Sequence, residues 1–261
     1  MKSLLIPILL AAFTTAAFAQ SASAPIDTTQ TTSVIVPVVG SVLGMNGVVW
    51  KTDVELTNDQ TRELVVSLIL PTAPDQPAMI TNISPGQTVR FSDIVGEAFG
   101  MDRAMSPLLV STMGRRSVSV RATVYGTRGA EVFRPEPVEA ERADAFFPVR
   151  YLPGLAFNDD FRTNIGLANL GDEPATFVLA LQRITGRNVA VTRVTVPPNT
   201  LWHIAIQFLF PLITKGEDFS TLIETPSRNT FVYASVIENA TNTAKFVHPS
   251  MGSPINLGLT P

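Results

Sequence analysis

Few side chains in this chain are equipped to do chemistry. Two histidines, His203 and His248, are the whole supply of side-chain bases that titrate near neutrality, and there is no cysteine. Thiolate nucleophiles, disulfides and thiolate metal sites are therefore excluded. Asp159 and Asp160, preceded by Asn158 and followed by Asp172 and Glu173, form the densest oxygen cluster and are the calcium candidate, set against a plain solvated loop. Asp53, Glu55 and Asp93 are the carboxylates from which a hydrolase site could be assembled. Trp50 could stack on a sugar if it faced water. Each histidine stands alone in strand-like text, which is the setting of a structural imidazole more than of a triad member. No G-x-S-x-G elbow, HExxH, Walker loop, Rossmann glycine fingerprint or EF-hand loop occurs. The expected catalytic, cofactor and metal sets are accordingly empty, apart from the calcium candidate.

The elements that would position these groups are written twice. VVWKTDVELTN, ending at Asn58, returns as DDFRTNIGLAN, ending at Asn169, 111 positions later. Trp50 answers to Phe161, Lys51 to Arg162, Thr52 to Thr163, Asp53 to Asn164 and Asn58 to Asn169. A period this long suits a tandem of whole domains and not a solenoid. The later part of each copy aligns at an offset of 113, pairing Pro85 with Pro198, Leu109 with Leu222, Val118 with Phe231, Val124 with Ile237 and Phe133 with Phe246. In the hairpin between, Gly126 falls on Asn239 and Gly129 on Asn242, residue types that tolerate positive φ. Only the framework repeats: Asp159 and Asp160 fall on Val48 and Val49, His203 on Arg90 and His248 on Pro135.

Apolar residues recur mostly at every second position. Val118, Val120, Ala122 and Val124 share one face of a strand, as do Phe177, Leu179 and Leu181. The same rule turns Trp50, Thr52, Val54 and Leu56 inward, making Trp50 a core anchor, and Lys51, Asp53 and Glu55 outward. Asn58 and Asn169 fall at strand ends, where a side-chain amide caps a turn. Turn formers at Pro71, Pro74, Pro85-Gly86 and Pro197-Pro198-Asn199 divide the runs at sandwich-like spacing. One short helix is expected per copy: SDIVGEAFG, capped by Ser92 or Asp93 and stopped by Gly100, and AIQFLFPLI. The fold expected is all-β, two tandem homologous Ig-like β-sandwich domains.

Residues 1–19, with Lys2, an apolar run from Leu4 and Ala17-Phe18-Ala19, read as a secretory signal cleaved before Gln20. A flexible polar leader spans 20–33, domain 1 spans 34–135, a linker or domain-crossing strand 136–144, domain 2 145–249 and a tail 250–261. Without residues 1–19 the chain carries 18 basic against 22 acidic side chains, a charge of −4, which argues against nucleic acid. Only 16% of residues are charged, so the sheet faces are sparsely protected.

Pro37-Val38 and Pro148-Val149, each before a W/F-[KR]-T-[DN] strand ending in Asn, resemble repeats of uncharacterised secreted proteins of environmental bacteria. The resemblance implies an Ig-like sandwich and no chemistry. The expected protein is exported, secreted or periplasmic, and is not an enzyme. Its role is structural or binding, engaging a protein or glycan of the envelope or matrix through sheet faces or edge strands, with self-association open and no membrane insertion after cleavage. The alternative is a carbohydrate-active accessory module or a hydrolase with a carboxylate site.

Overall fold

Strand-forming alternation dominates the chain, and the protein is all-β. The computed structural model describes residues 31–253 apart from 115, 116 and 184. The signal reading of residues 1–19, most of the polar leader and the tail from 254 onward lie outside the described residues. Among the described residues there are two short helices, and no helix is long and apolar enough to cross a membrane.

The first half comprises β1 (Thr31–Leu43), β2 (Val49–Thr57), β3 (Leu64–Ile69), β4 (Met79–Ile83), β5 (Thr88–Phe91), α1 (Ile94–Phe99), β6 (Ala104–Met113), β7 (Ser119–Arg128), β8 (Glu131–Val132), β9 (Glu136–Val138) and β10 (Glu141–Arg142). The second comprises β11 (Val149–Phe157), β12 (Phe161–Asn169), β13 (Ala175–Arg183), β14 (Asn188–Val196), β15 (Thr200–Ala205), α2 (Ile206–Leu209), β16 (Gly216–Glu224), β17 (Thr230–Glu238), β18 (Ala244–Val247) and β19 (Ser250–Met251). In the first half the order β4-β3-β6-β1 faces β5-β2-β7-β9, with β1 also joining β2 at its end. In the second, β14-β13-β16-β11 faces β15-β12-β17-β18 as two separate sheets. Each half closes its own apolar core, one around Val54, Leu68 and Leu108, the other around Ile165, Leu179 and Val232. Asp93 caps α1 by accepting from Gly96 N, and Gly100 ends it at φ 64°.

Two polar side chains of β2 and their partners in β12 tie the layers together. Asn58 is fully buried, donates to the Arg62 and Ile83 carbonyls at 2.8 and 2.7 Å, and accepts from Gln60 N at 2.9 Å. Asn169 repeats this, donating to the Glu173, Val196 and Pro197 carbonyls and accepting from Gly171 N at 3.0 Å. Thr52 exchanges hydrogen bonds with the backbone of Gly40, and Thr163 does so with Ala156.

These ladders correct the alignment in two places. Val54 pairs with Ala122 whereas Ile165 pairs with Ala234, so β17 follows β7 at 112 residues and not 113. The connection before β17 is one residue shorter, and in a strand a one-residue slip exchanges the faces. Val124 therefore corresponds to Val236, and Ile237 faces away from the second core. Likewise Phe246 in β18 stands opposite Ser235, where β9 places Pro137 opposite Thr123, so Phe246 is not the counterpart of Phe133. The first strands align through their bulges, Val36/Val39 and Leu152/Leu155, which matches Pro37 to Pro153 and not to Pro148.

Three boundaries also move. Thr31–Ser33 begin β1, residues 136–142 add β9 and β10 to the first half's sheet, and Ser250–Met251 pair with β11. Gly129 and Asn242 both take positive φ, 60° and 54°. Gly126 has a different reason to be glycine: a Cβ there would meet Val48 at 2.8 Å and Phe133 at 3.0 Å.

Asn169→Ala should lower stability by roughly 2–4 kcal/mol, because stranding buried backbone carbonyls costs about 1–3 kcal/mol each. Urea unfolding with an unchanged slope measures this, and an unmoved midpoint would show that the clamp is dispensable.

Candidate functional site

The outer face of the sheet β15-β12-β17-β18 departs most from its counterpart. One rung across the first half reads Arg90, Glu55, Arg121 and is solvated; the matching rung of the second half reads His203, Gly166, Tyr233. Gly166 has no side chain because Tyr233 lies flat over it: a Cβ there would fall 2.0 Å from the ring. The Tyr233 hydroxyl meets His203 Nδ1 at 2.9 Å. Tyr233 stacks on Phe246 at 5.0 Å between centroids, and Phe246 meets His248 at 4.7 Å. His248 Nε2 accepts from Glu139 N at 2.9 Å, linking the second half to the end of the first. Burial pushes His203 down to about 4, so it is neutral at pH 7, and raises Tyr233 far above its ordinary value. His248 is lowered more gently by burial, against the opposing charge of Glu139.

This face packs on the first half through Ile35, which contacts Ala168 and Phe231. Beyond that contact the halves part and enclose a cavity of about 490 Å³. Val38, Val42, Trp50, Met105 and Val124 wall it from the first half, and Tyr233, Ile237 and Phe246 from the second. The shifted register of β17 is what presents Ile237 here. Trp50, expected as a sealed core anchor, is half-buried. Its indole lies against Gly44, where a Cβ would be 2.5 Å from Nε1, and opposite Gly126, and its ring forms part of the cavity wall. Phe161 is also half-buried and packs against the second core.

The polar groups of the cavity are sparse and unevenly satisfied. Arg162 donates to the side-chain oxygens of Asn239 and Asn242, at 2.8 and 3.3 Å, and its pKa is lowered by burial. Lys51 is paired with Asp93 at 2.8 Å, and Glu136 with Arg134 at 3.5 Å. Ser235 Oγ and Gln207 Oε1 are buried with no hydrogen-bond partner among the described residues, and both residues belong to the cavity wall.

The candidates read from sequence lie elsewhere or are already engaged. Asp53 and Glu55 share Arg90, at 2.9 and 3.8 Å, and Asp93 holds both Lys51 and the α1 cap, so these carboxylates are engaged in ion pairs on the outer face of the first half. Asp159 pairs with Lys215, and its neighbour Asp160 lies in the same exposed turn. Among the described residues no group of three or more His, Cys, Asp or Glu is placed to hold a metal ion. His203 lines the cavity but contacts Tyr233, while His248 is separated from it by that ring and Phe246.

No known protein family matches the chain, and no curated protein matches it. The resemblance to secreted bacterial repeats therefore has no support from these comparisons. Among solved structures, the apo form of a Pleurotus ostreatus lectin is similar at 8% identity over 85% of this chain and 74% of that one, with a TM-score of 0.20. A likeness of that size carries no argument.

His203 binds a proton less readily folded than unfolded, so its contribution to stability is full above about 6.5 and is lost as pH falls toward about 4. The imidazole proton shifts of His203 should stay constant in NMR spectra from pH 8 to about 5, and His203→Gln should flatten the acid limb of the stability profile. Titration of His203 near its ordinary value would contradict this burial.

Proposed function

We propose that the protein is an exported, non-catalytic binding protein, secreted or periplasmic, whose ligand occupies the cavity between the halves. The observation that carries this reading is the cavity itself: concave, largely apolar, bounded by both halves, with a few polar groups in its wall, which is the general form of a small-molecule site. Catalysis would need titratable groups aimed at one point, whereas here Asp53, Asp93 and the cavity acid Glu136 are each ion-paired and His203 is held by Tyr233. The repeated strand order and the repeated Asn and Thr clamps support two tandem sandwich domains of common origin. In that reading the framework was kept while one outer face became an interdomain wall. A compact ligand is favoured over a strand or polymer bound along a sheet edge, because the space is concave and walled by both halves.

The chain offers its own reporter. Its two tryptophans are Trp50, in the cavity wall, and Trp202, which packs against the second core. With Trp202→Phe, a compound that enters the cavity should shift Trp50 emission saturably, and Ala205→Trp, which fills the space, should abolish binding measured by calorimetry. A screen in which no compound is bound, but an ester, glycoside or peptide is turned over in a manner lost on changing one carboxylate, would replace this reading with an enzyme.

A further inference from the structure

Resting on the cavity as a binding site, we propose that its ligand is an amphipathic monoanion, with a single apolar chain between the halves and a carboxylate head held by Arg162. Head and chain are argued from different observations.

The head follows from Arg162. Its two hydrogen bonds go to uncharged amide oxygens, and no ion pair among the described residues involves it. A guanidinium carries five N–H donors, so three remain beyond those two bonds. A partly desolvated cation without a counter-ion is unfavourable, and an anionic head offsets that cost while matching the planar fork. Glu136, the acid on the opposite wall, is engaged by Arg134, and burial is the only influence resolved on Arg162. Directly along the same face, Asn164 stands opposite Ser235, as Arg162 stands opposite Ile237. The neighbouring rung thus adds the polar side chain of Asn164, which also lines the cavity, beside the guanidinium.

The chain follows from the walls and the mouth. Beside Arg162 the second half contributes Ile237 and Phe246 to the lining, and the first half contributes Val38, Val42 and Met105. Leu43, Met45 and Phe208 extend this lining outward while 58%, 62% and 77% exposed, an apolar collar unusual for a site that takes a hydroxylated ligand. Sugars need donors and acceptors along their whole length, whereas Lys51, Glu136 and His203 of this lining are already engaged by Asp93, Arg134 and Tyr233. The volume is within the range of drug-sized ligands and accommodates one alkyl chain.

The test uses the full chain with Trp202→Phe and three probes of one tail length: dodecanoate, dodecanol and dodecyltrimethylammonium. Dodecanoate should shift Trp50 emission saturably with a Kd at least tenfold below that of dodecanol, and the ammonium should bind more weakly than either. Arg162→Gln should remove the preference, weakening dodecanoate at least tenfold more than dodecanol. Calorimetry on the native chain should give the same order. Equal binding of dodecanoate and dodecanol, or an unaltered preference in a folded Arg162→Gln, overturns the anionic head but leaves the cavity as a site. Silence toward all three probes beside saturable binding of a neutral sugar overturns the proposal as a whole, and absence of any cavity ligand overturns the reading beneath it. Should Arg162→Gln fail to fold, the order of the probes on the native protein, and its persistence in the charge-conserving Arg162→Lys, decide the matter.

Discussion

Each half depends on a buried amide that joins its two layers. Asn58 and Asn169 stand at the ends of the longest-matching strands, and each binds carbonyls of the loop that follows and of the facing sheet's edge strand. In a chain with no cysteine, sheet-to-sheet registration rests on apolar burial, which is non-directional, and on such polar ties, which are not. An amide offers two donors and an acceptor in one plane, so it can close a turn and reach across a core at once. Thr52 and Thr163 add the second fixed point, tying the same strands to the residue just past the bulge in the first strand of each half. With two points held, the outer faces of those strands are free to change.

They have changed in opposite directions. In the first half the outer face keeps Lys51, Asp53, Glu55 and Arg90 in ion pairs with Asp93 and one another, an arrangement suited to water. In the second, loss of the side chain at Gly166 lets an aromatic row cover the same strands, from His203 over Tyr233 and Phe246 to His248. A neutral histidine with its tyrosine partner can be buried against another surface at little cost, whereas the Arg-Glu-Arg rung could not be. The contact of Ile35 with Ala168 and Phe231 follows from this exchange, and the cavity follows from where that contact stops.

Much of the framework was legible because it is periodic. Alternation identified the inward faces of Val118–Val124 and of Phe177–Leu181, and repetition at 111 identified the Thr and Asn ties as matched pairs. The offset of β17 was misread by one because Val, Ala and Ile occupy both faces of that strand, so apolar character alone does not distinguish 112 from 113. The first strands were matched on the wrong proline for a similar reason: their true landmark is a bulge, which has no residue signature beyond Pro37 and Pro153. The site was harder still. Its members are single residues without duplicates, Gly166, His203, Tyr233 and Ile237 among them, and the absence of repetition that made them look incidental is what marks a face diverted to a new contact. The replacement of Glu55 by Gly166 inside an otherwise conservative block was the one clue in the text.

Arg162 explains why the halves do not simply close. An apolar cleft between two sheets gains free energy by collapsing, on the order of 25 cal/mol per Å² removed from water. The cleft here has small residues that would permit approach, Gly40 and Gly44 on one side and Ala205 and Ala244 on the other. Closure would seal the guanidinium, while Glu136, the acid of the first half in the cleft wall, is already engaged by Arg134. Burying an unpaired cation costs more than a modest apolar contact returns. The same residue also ties down the β17–β18 turn through Asn239 and Asn242, so it is held in place and does not swing out to solvent. A fixed, partly desolvated charge in the wall of an apolar cleft opposes its collapse and leaves it complementary to a ligand that brings the opposite charge on an apolar body.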